Sequence, residues 1–425
     1  MLVNNLKGLR AVATAIAAAA MVAGCASTPL PPDLGCGVPG GLCAPEEANT
    51  SAPRPPPPPE PSPAPRSETR TIPVELYPGA DGGQAAQPAN GAQARVALLL
   101  PLQSAALGKA AEAVRAGFLA GHERDGAGFE VNIVASGDSA EDTLQAYARA
   151  AEQNDIVVGP LARSAVAAVA SSNVVTKPTV ALNHPQIDRP LPPQMLVVGL
   201  SLEEEARQVA EWAAQEQPSG RALVLGGSAA WQQRIVGAFT SRWARLGRNN
   251  ATVDLPVVDG YVDANALADL RKRLEIDRPD LVFAALDASQ LRQVRSALGT
   301  SLPTYGVSAA NPGRSAGTAG GWPELDGVRM LDLPWTIQPE HPQVMVYPRP
   351  VDADTLDMQR LYALGIDAFR VAREVARQPG TGFELDGVTG HLTVRMNNGA
   401  YAMKRQEAAA VYRDGLGFEA VPTRP

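Results

Sequence analysis

Cysteine, histidine and aromatic side chains are scarce in this chain of 425 residues. All three cysteines lie before residue 44, which leaves the rest of the chain without disulfides or cysteine-ligated metals. The four histidines have no metal-ligand spacing, and they are His122, His184, His341 and His391. Because neither a Walker lysine motif nor a G-x-S-x-G nucleophile motif occurs, we expect no enzyme, no metal and no cofactor.

Basic charge is also in short supply. The chain has 37 Lys and Arg residues against 44 Asp and Glu residues, which gives a formal net charge of −7. An acidic chain without a polybasic stretch lacks the electrostatic features that bind nucleic acid or an anionic membrane surface. We therefore expect no nucleic-acid partner.

The first 25 residues carry an export signal. Lys7 and Arg10 precede Ala11–Ala23, an uncharged run that as a helix would rise about 20 Å, short of a ~30 Å hydrocarbon core. This pattern predicts a signal peptide over residues 1–24. The run ends in Val22-Ala23-Gly24-Cys25, which resembles the lipobox of bacterial lipoproteins and implies a lipid on Cys25. Ala26 in place of Asp implies the periplasmic face of the outer membrane, and the alternative is a plain secretory signal with an accidental cysteine.

Residues 25–93 predict a lipid-anchored, disordered tether. Pro53–Arg66 reads PRPPPPPEPSPAPR, which favours polyproline II and excludes helix and sheet. We expect a passive spacer here, with a proline-motif ligand as the alternative. Cys36 and Cys43 lie in a Gly/Pro-rich setting, and a small disulfide loop is expected over a metal pair because no histidine or further cysteine lies nearby.

From residue 94 onward, apolar strand patterns alternate with helical patterns. Arg95–Leu102 is a continuous apolar run typical of central parallel strands, and Leu107–Arg124 has apolar residues at helical spacing. The alternation recurs after Ser201, with a predicted strand at Thr252–Val258. Asn397-Asn398-Gly399 predicts a β-hairpin. Repeated units of this length predict an α/β fold of parallel sheets with helices on both faces.

Eight segments of residues 94–425 stand in a familiar order. They are Val96–Leu102, Ala113–Phe118, Val157–Leu161, Pro178–Pro185, Gly199–Ser201, Ser228–Trp231, Tyr362–Ala372 and Gly387–Val394. Their order and spacing resemble the type I periplasmic-binding-protein fold, and within it the penicillin-binding-protein activator lipoproteins of the LpoA type. The resemblance implies two Rossmann-like lobes joined by several crossovers. A Pro-rich tether stands here where that activator carries a helical-repeat domain.

We expect the first lobe to comprise residues of about 94–200 and 315–380, and the second about 201–314 and 381–425. In open α/β sheets, ligands meet the loops after the carboxyl ends of strands. The candidate cleft residues are Leu102, Gln103, Ser104, Gly159, Pro160, Leu161, Ser164, Asn183, His184, Gly227, Ser228, Trp231 and Trp335. Each of them could equally serve lobe packing, and Gly226-Gly227-Ser228 suits a tight turn better than an anion site.

Two functions follow from the resemblance. The leading hypothesis is a non-enzymatic outer-membrane lipoprotein that contacts a bifunctional penicillin-binding protein and raises its activity in peptidoglycan synthesis. The alternative is a membrane-tethered solute-binding or sensory protein that closes its two lobes on a small ligand such as an amino acid or peptide. A receptor needs convergent polar groups in its cleft, whereas an activator needs a patch on an outer face.

Overall fold

The computed structural model describes residues 93–313, 321–351 and 353–422. The predicted signal peptide, the lipid site at Cys25 and the pair Cys36 and Cys43 lie outside the described residues. Within the described ranges, none of the helices has both the length and the apolar character that a membrane span requires.

The first lobe begins with a parallel sheet whose strands alternate with helices. Its first elements are β1 Ala94–Leu100, α1 Gly108–Asp125, β2 Phe129–Ala135, α2 Ala140–Gln153, β3 Ile156–Val158, α3 Arg163–Ala170, β4 Thr179–Ala181 and β5 Met195–Val197. The strand order is β2-β1-β3-β4-β5. Because β1 lies inside the sheet and helices cover both faces, its residues Val96–Leu100 are fully buried, as the continuous apolar run predicts.

The second lobe carries a larger sheet. Its elements are α4 Leu202–Glu216, β6 Ala222–Gly227, α5 Ala230–Arg245, β7 Asn250–Leu255, β8 Val257–Val258, β9 Tyr261–Val262, α6 Ala264–Asp277, β10 Leu281–Ala285, α7 Ala288–Leu298, β11 Thr304–Gly306, short 3₁₀ turns at Ser308–Ala310 and Pro323–Leu325, and β12 Arg329–Asp332. Ser201 followed three residues later by Glu204 predicts a helix cap, and the structure confirms it: the Ser201 side chain accepts from the Glu204 N–H at the start of α4.

The chain then returns to the first lobe and ends in the second. The remaining elements are α8 Pro334–Ile337, α9 Pro342–Met345, α10 Leu356–Arg377, β13 Phe383–Gly387, β14 Gly390–Asn397, β15 Ala400–Gln406, β16 Ala408–Arg413 and β17 Gly417–Ala420. The second sheet has the order β17-β16-β12-β11-β10-β6-β7, with β16 and β17 antiparallel at one edge. The strands β13-β14-β15 form a separate antiparallel sheet.

The expected lobe boundaries differ from the structure in two places. β12 pairs with β11 and β16, so residues 321–332 belong to the second lobe. Leu392 and Val394 of β14 pack in one cluster with Val96 of β1 and Phe369 of α10, so residues 383–406 belong to the first lobe. Order along the chain could not decide either assignment, because both depend on which apolar face covers which sheet.

Local turn chemistry explains one success and one error. Asn398 and Gly399 have φ of 49° and 79°, which fits the two-residue turn between β14 and β15 and confirms the predicted hairpin. The single strand expected over Thr252–Val258 is wrong. Pro256 has no backbone N–H to donate to a sheet, and the chain divides there into β7 and β8.

Helices α1 and α10 cross with their backbones in direct contact. Gly117 on α1 faces the Tyr362 carbonyl, and a Cβ at this position would overlap it. A Cβ at Gly365 on α10 would overlap the Val114 carbonyl and lie 2.7 Å from the Phe118 nitrogen. Only hydrogen fits at these positions, so the glycines allow α10 to lie against the first lobe although 250 or so residues separate it from α1.

We predict that Gly365→Ala destabilises the protein by about 2–3 kcal/mol, because the added methyl group meets backbone atoms that cannot rotate away. Urea unfolding followed by circular dichroism would measure the loss. Gly237→Ala in α5 is the matched control: its methyl group meets no heavy atom within 4 Å, and removing a helical glycine should stabilise the protein by about 0.5–1 kcal/mol. Equal effects of the two substitutions would contradict the backbone contact.

A buried arginine forms hydrogen bonds with Val198 and Gly199, where the chain first crosses from one lobe to the other. Arg405, at the end of β15, donates from Nη2 to the Val198 carbonyl at 2.6 Å and from Nη1 to the Gly199 carbonyl at 2.9 Å. Its Nε donates to Thr389 Oγ1 at 3.2 Å, and that hydroxyl donates to Asp367 of α10 at 2.6 Å. The crossing segment, the three-stranded sheet and α10 are thereby held by one chain of hydrogen bonds.

Candidate functional site

A cavity of about 1300 Å³ opens at the carboxyl edge of the second lobe's sheet. The segments that follow β6, β10, β11 and β12 contribute Trp231, Asp287, Ser308 and Trp335 to its wall, and α10 contributes Arg360. This is the edge at which open α/β sheets receive ligands. The start of α10 brings a first-lobe element to the same cavity, so the site includes residues of both lobes.

A connected set of buried charges forms one wall of the cavity. Glu205 of α4 accepts from the Ser308 N–H at 2.7 Å and from Ser308 Oγ at 3.0 Å. Arg360 Nη2 donates to the Ser308 carbonyl at 2.9 Å and to Asp332 Oδ2 at 2.7 Å, while its Nε donates to Asp332 Oδ1 at 3.1 Å. These contacts tie α10 of the first lobe to α4, β12 and the turn after β11 in the second.

Burial changes the acidity of two carboxyl groups beside this wall. Burial, together with the negative charge of Asp332, raises the pKa of Glu205 to about 7. Burial and the neighbouring Glu205 carboxyl likewise raise the pKa of Glu407, which lies on the crossing between β15 and β16. Protonation of these groups therefore occurs more readily in the folded chain than in the unfolded one.

The carboxyl edge of the first lobe has a different character. Asn183 Nδ2 donates to the Leu161 carbonyl at 3.0 Å, and Asn183 Oδ1 accepts from the His184 N–H at 2.9 Å. His184 Nε2 lies 3.0 Å from the Gly199 carbonyl, and burial lowers the pKa of His184. The structure thus brings Leu161, Asn183 and His184 together. The polar side chains of Asn183 and His184 form hydrogen bonds with backbone groups of the same set of loops.

Most of the other predicted cleft residues lie in packed or exposed positions away from the cavity. Ser104 Oγ accepts from the Leu107 N–H at 2.9 Å, and Leu102 packs against the first-lobe core. The buried members are Gly159, Pro160 and Gly227, and the exposed members are Gln103, Ser164 and Ser228. Trp231 and Trp335 are the two candidates that line the cavity. A role for the whole set in ligand contact stays a prediction.

Sequence reasoning missed several residues of the cavity wall. Asp287, Ser308 and Asn311 follow strands at the carboxyl edge, so the rule applied to the other loops would have found them. Glu205 and Arg360 lie inside helices, and no sequence motif marks them as site residues. Only the packing of α4 and α10 beside the same edge brings these two charges to the site.

The side chains that line the cavity can bind a ligand through hydrogen bonds, charge and aromatic contacts. The described lining residues include tryptophan, serine, asparagine, carboxylates and arginine but no histidine, lysine or cysteine. Ser308 therefore has no histidine or lysine base beside it in this lining. No group of three His, Cys, Asp or Glu residues suited to a metal ion occurs within the part of the chain that the structure describes.

Arg360 offers a direct comparison of a buried and an exposed ion pair on one guanidinium. We predict that Asp332→Asn destabilises the protein by about 3–5 kcal/mol, because Asp332 is fully buried and its loss leaves the Arg360 guanidinium without its buried carboxylate partner. Asp357→Asn removes the other partner, whose side chain is 81% exposed, and should cost at most about 1 kcal/mol. Chemical unfolding of both variants measures the difference, and similar costs would contradict the role of burial.

Glu205 should make stability depend on pH. Because its folded pKa is raised to about 7, the stabilising effect of its protonation is complete below the unfolded pKa and is lost as pH rises through about 7. Glu205→Gln keeps both contacts with Ser308 but cannot ionise. We therefore expect its stability relative to wild type to rise by a few kcal/mol as the pH increases from 5 to 8. Unfolding free energies measured across that range test this.

Glu203→Gln on the same helix is the matched control for that titration. Burial opposes ionisation of Glu203, but hydrogen bonding and charge from Arg234 and the charge of Arg163 lower its pKa overall. The stability that ionised Glu203 contributes is therefore lost only in an acidic range, as the pH falls through its lowered folded pKa. Two results would contradict the raised pKa of Glu205. One is a stability difference between Glu203→Gln and wild type that changes with pH between 5 and 8. The other is a stability difference between Glu205→Gln and wild type that stays constant over that range.

The chain is similar to known proteins over most of its length, and these similarities agree with the fold. The family model described as "LppC putative lipoprotein" matches residues 89–415. The penicillin-binding protein activator LpoA of Photobacterium profundum is 24% identical over 354 residues, which cover 76% of this chain and 56% of that protein. The chain spans about half the length of the curated relatives it matches.

Two solved structures share the two-lobed architecture. A Chromobacterium violaceum protein described as a "putative branched-chain amino acid ABC transporter" has a TM-score of 0.63 and 34% identity, over 75% of this chain and 100% of that chain. The C-domain of LpoA from Haemophilus influenzae, described as a regulator of PBP1A, has a TM-score of 0.62 and 22% identity, over 77% of this chain and 100% of that chain. These matches confirm the type I periplasmic-binding-protein fold, and the chain belongs to the LppC lipoprotein family.

Proposed function

We propose that this protein is a lipid-anchored outer-membrane lipoprotein that activates peptidoglycan synthesis by a bifunctional penicillin-binding protein without catalysing a reaction itself. The observation that carries the proposal is the family match over residues 89–415, together with relatives named as penicillin-binding protein activators. The lipid on Cys25 and the outer-membrane location follow from the lipobox and from Ala26 after it.

The site geometry supports a role that does not depend on closing around a ligand. The polar groups of the first lobe's carboxyl edge bond within their own loops, as in the contacts of Asn183 with Leu161 and of His184 with Gly199. The Arg360–Asp332 pair joins the lobes through buried charge. A body with these constraints is suited to presenting a fixed outer surface to a partner.

The tether supports the same proposal. Residues 26–93 comprise 68 residues, and at about 3.3 Å per residue their contour length reaches roughly 220 Å. The typical span is several-fold shorter. A spacer of this size lets the two-lobed body reach a synthase that lies away from the membrane holding the lipid.

The direct test adds a soluble form of residues 26–425 to a bifunctional penicillin-binding protein from the same organism, and follows glycan polymerisation and peptide cross-linking. We expect a saturable increase in rate. The control is the same protein denatured by heat, which should leave both rates unchanged. No increase in either rate and no complex in a pull-down would reject the activator function for this partner.

The second candidate function is solute binding. Its support is the cavity and the match of the chain to all of the Chromobacterium protein. The cavity lining includes six carboxylates and three arginines, together with Trp231 and Trp335. This composition favours a ligand with a positive group and an apolar part, such as an amino acid or short peptide that presents its amino group.

A thermal-shift screen separates this candidate from the first. A stabilising amino acid or peptide, with a shift that disappears in Trp231→Ala, would identify a receptor. Trp212→Ala is the control, because Trp212 lies on α4 outside the cavity lining and donates to Glu216 at 2.8 Å. A screen without any stabilising compound would leave the activator function as the better account.

A further inference from the structure

A small hairpin of the second lobe displays two apolar side chains to solvent. In β8 and β9, Val257 pairs with Val262 and Val258 pairs with Tyr261. Cross-strand partners share a face of the ribbon. The first pair packs toward the core, with Val262 buried, whereas Val258 and Tyr261 are 67% and 72% exposed. The outer pair therefore adds little to the core.

A side chain from α7 holds the hairpin through two hydrogen bonds. Gln293 Oε1 accepts from the Val262 N–H at 2.9 Å, and Gln293 Nε2 donates to the Gly260 carbonyl at 3.0 Å. Asp259 and Gly260 form the turn with φ of 50° and 82°. A tyrosine on a fixed backbone loses little conformational entropy when a partner covers it.

The charged residues of the chain segment that contains this pair have a single sign. Residues 249–270 contain four aspartates and no lysine or arginine. Asp254 and Asp259 are exposed, Asp259 directly follows Val258 in the turn, and Asp263 is partly exposed. A partner that surrounds its apolar contact with basic side chains would therefore be attracted to this segment.

We propose that Val258 and Tyr261 form a docking site for the penicillin-binding protein, which contacts them through an apolar pocket rimmed by lysine and arginine. This inference rests on the proposed activator function and assigns it a surface. Tyrosine is enriched among the few residues that dominate binding energy at protein interfaces. Val258 and Tyr261 are not among the described residues that line the cavity.

The test measures the affinity of the full chain for the purified synthase. Tyr261→Ser should weaken binding about tenfold or more, and Val258→Ser less. Ile276→Ser is the matched control, because Ile276 is 79% exposed on α6 and should leave the affinity unchanged. Asp259→Asn keeps the turn, since asparagine tolerates positive φ, and should weaken binding by about two- to fivefold at low salt with no difference at high salt.

The outcomes separate the docking site from the function. If wild type binds and Tyr261→Ser, with an unchanged melting temperature, binds equally well, the hairpin is not the docking site and the activator function stands. If wild type neither binds nor activates, both proposals fail. A photo-crosslinking residue at position 258 gives a second measurement: covalent capture of the purified synthase supports the site, and a complex without capture overturns it.

Discussion

Charge buried where the chain crosses between the lobes is the constraint on which this structure depends. Arg405 fixes the Val198–Gly199 crossing, and Arg360 joins α10 to Asp332 at the end of β12. Buried guanidinium and carboxylate groups require partners, because an unpaired charge in a low-dielectric interior costs several kcal/mol. The two lobes therefore have few relative positions in which both buried arginines keep their partners.

This constraint shapes the candidate site. The wall that holds Glu205, Ser308 and Arg360 is also the wall that joins the lobes, so the cavity and the junction share residues. A ligand that moved the lobes would have to replace these contacts with others of similar strength. These contacts therefore make any change in the relative position of the lobes costly.

The two lobes use their carboxyl edges differently. The first-lobe loops around Asn183 and His184 bond among themselves, while the second-lobe edge opens into the cavity. The β8–β9 hairpin, which follows the carboxyl end of β7 in the second lobe, leaves Tyr261 exposed within an acidic stretch. An activator and a solute receptor can share a fold, because function depends on which of these surfaces is used.

Sequence by itself determined the alternation of strands and helices, the buried β1, the cap at Ser201 and the hairpin at Asn398-Gly399, because each depends on neighbouring residues only. It also placed Trp231 and Trp335 near the site, since a strand's carboxyl end is visible locally. The tertiary structure alone decided which lobe receives β12 and β14, and it brought Glu205 and Arg360 to one wall. Those outcomes depend on which apolar faces pack together and which buried charges pair between segments distant in sequence, and no local pattern encodes that choice.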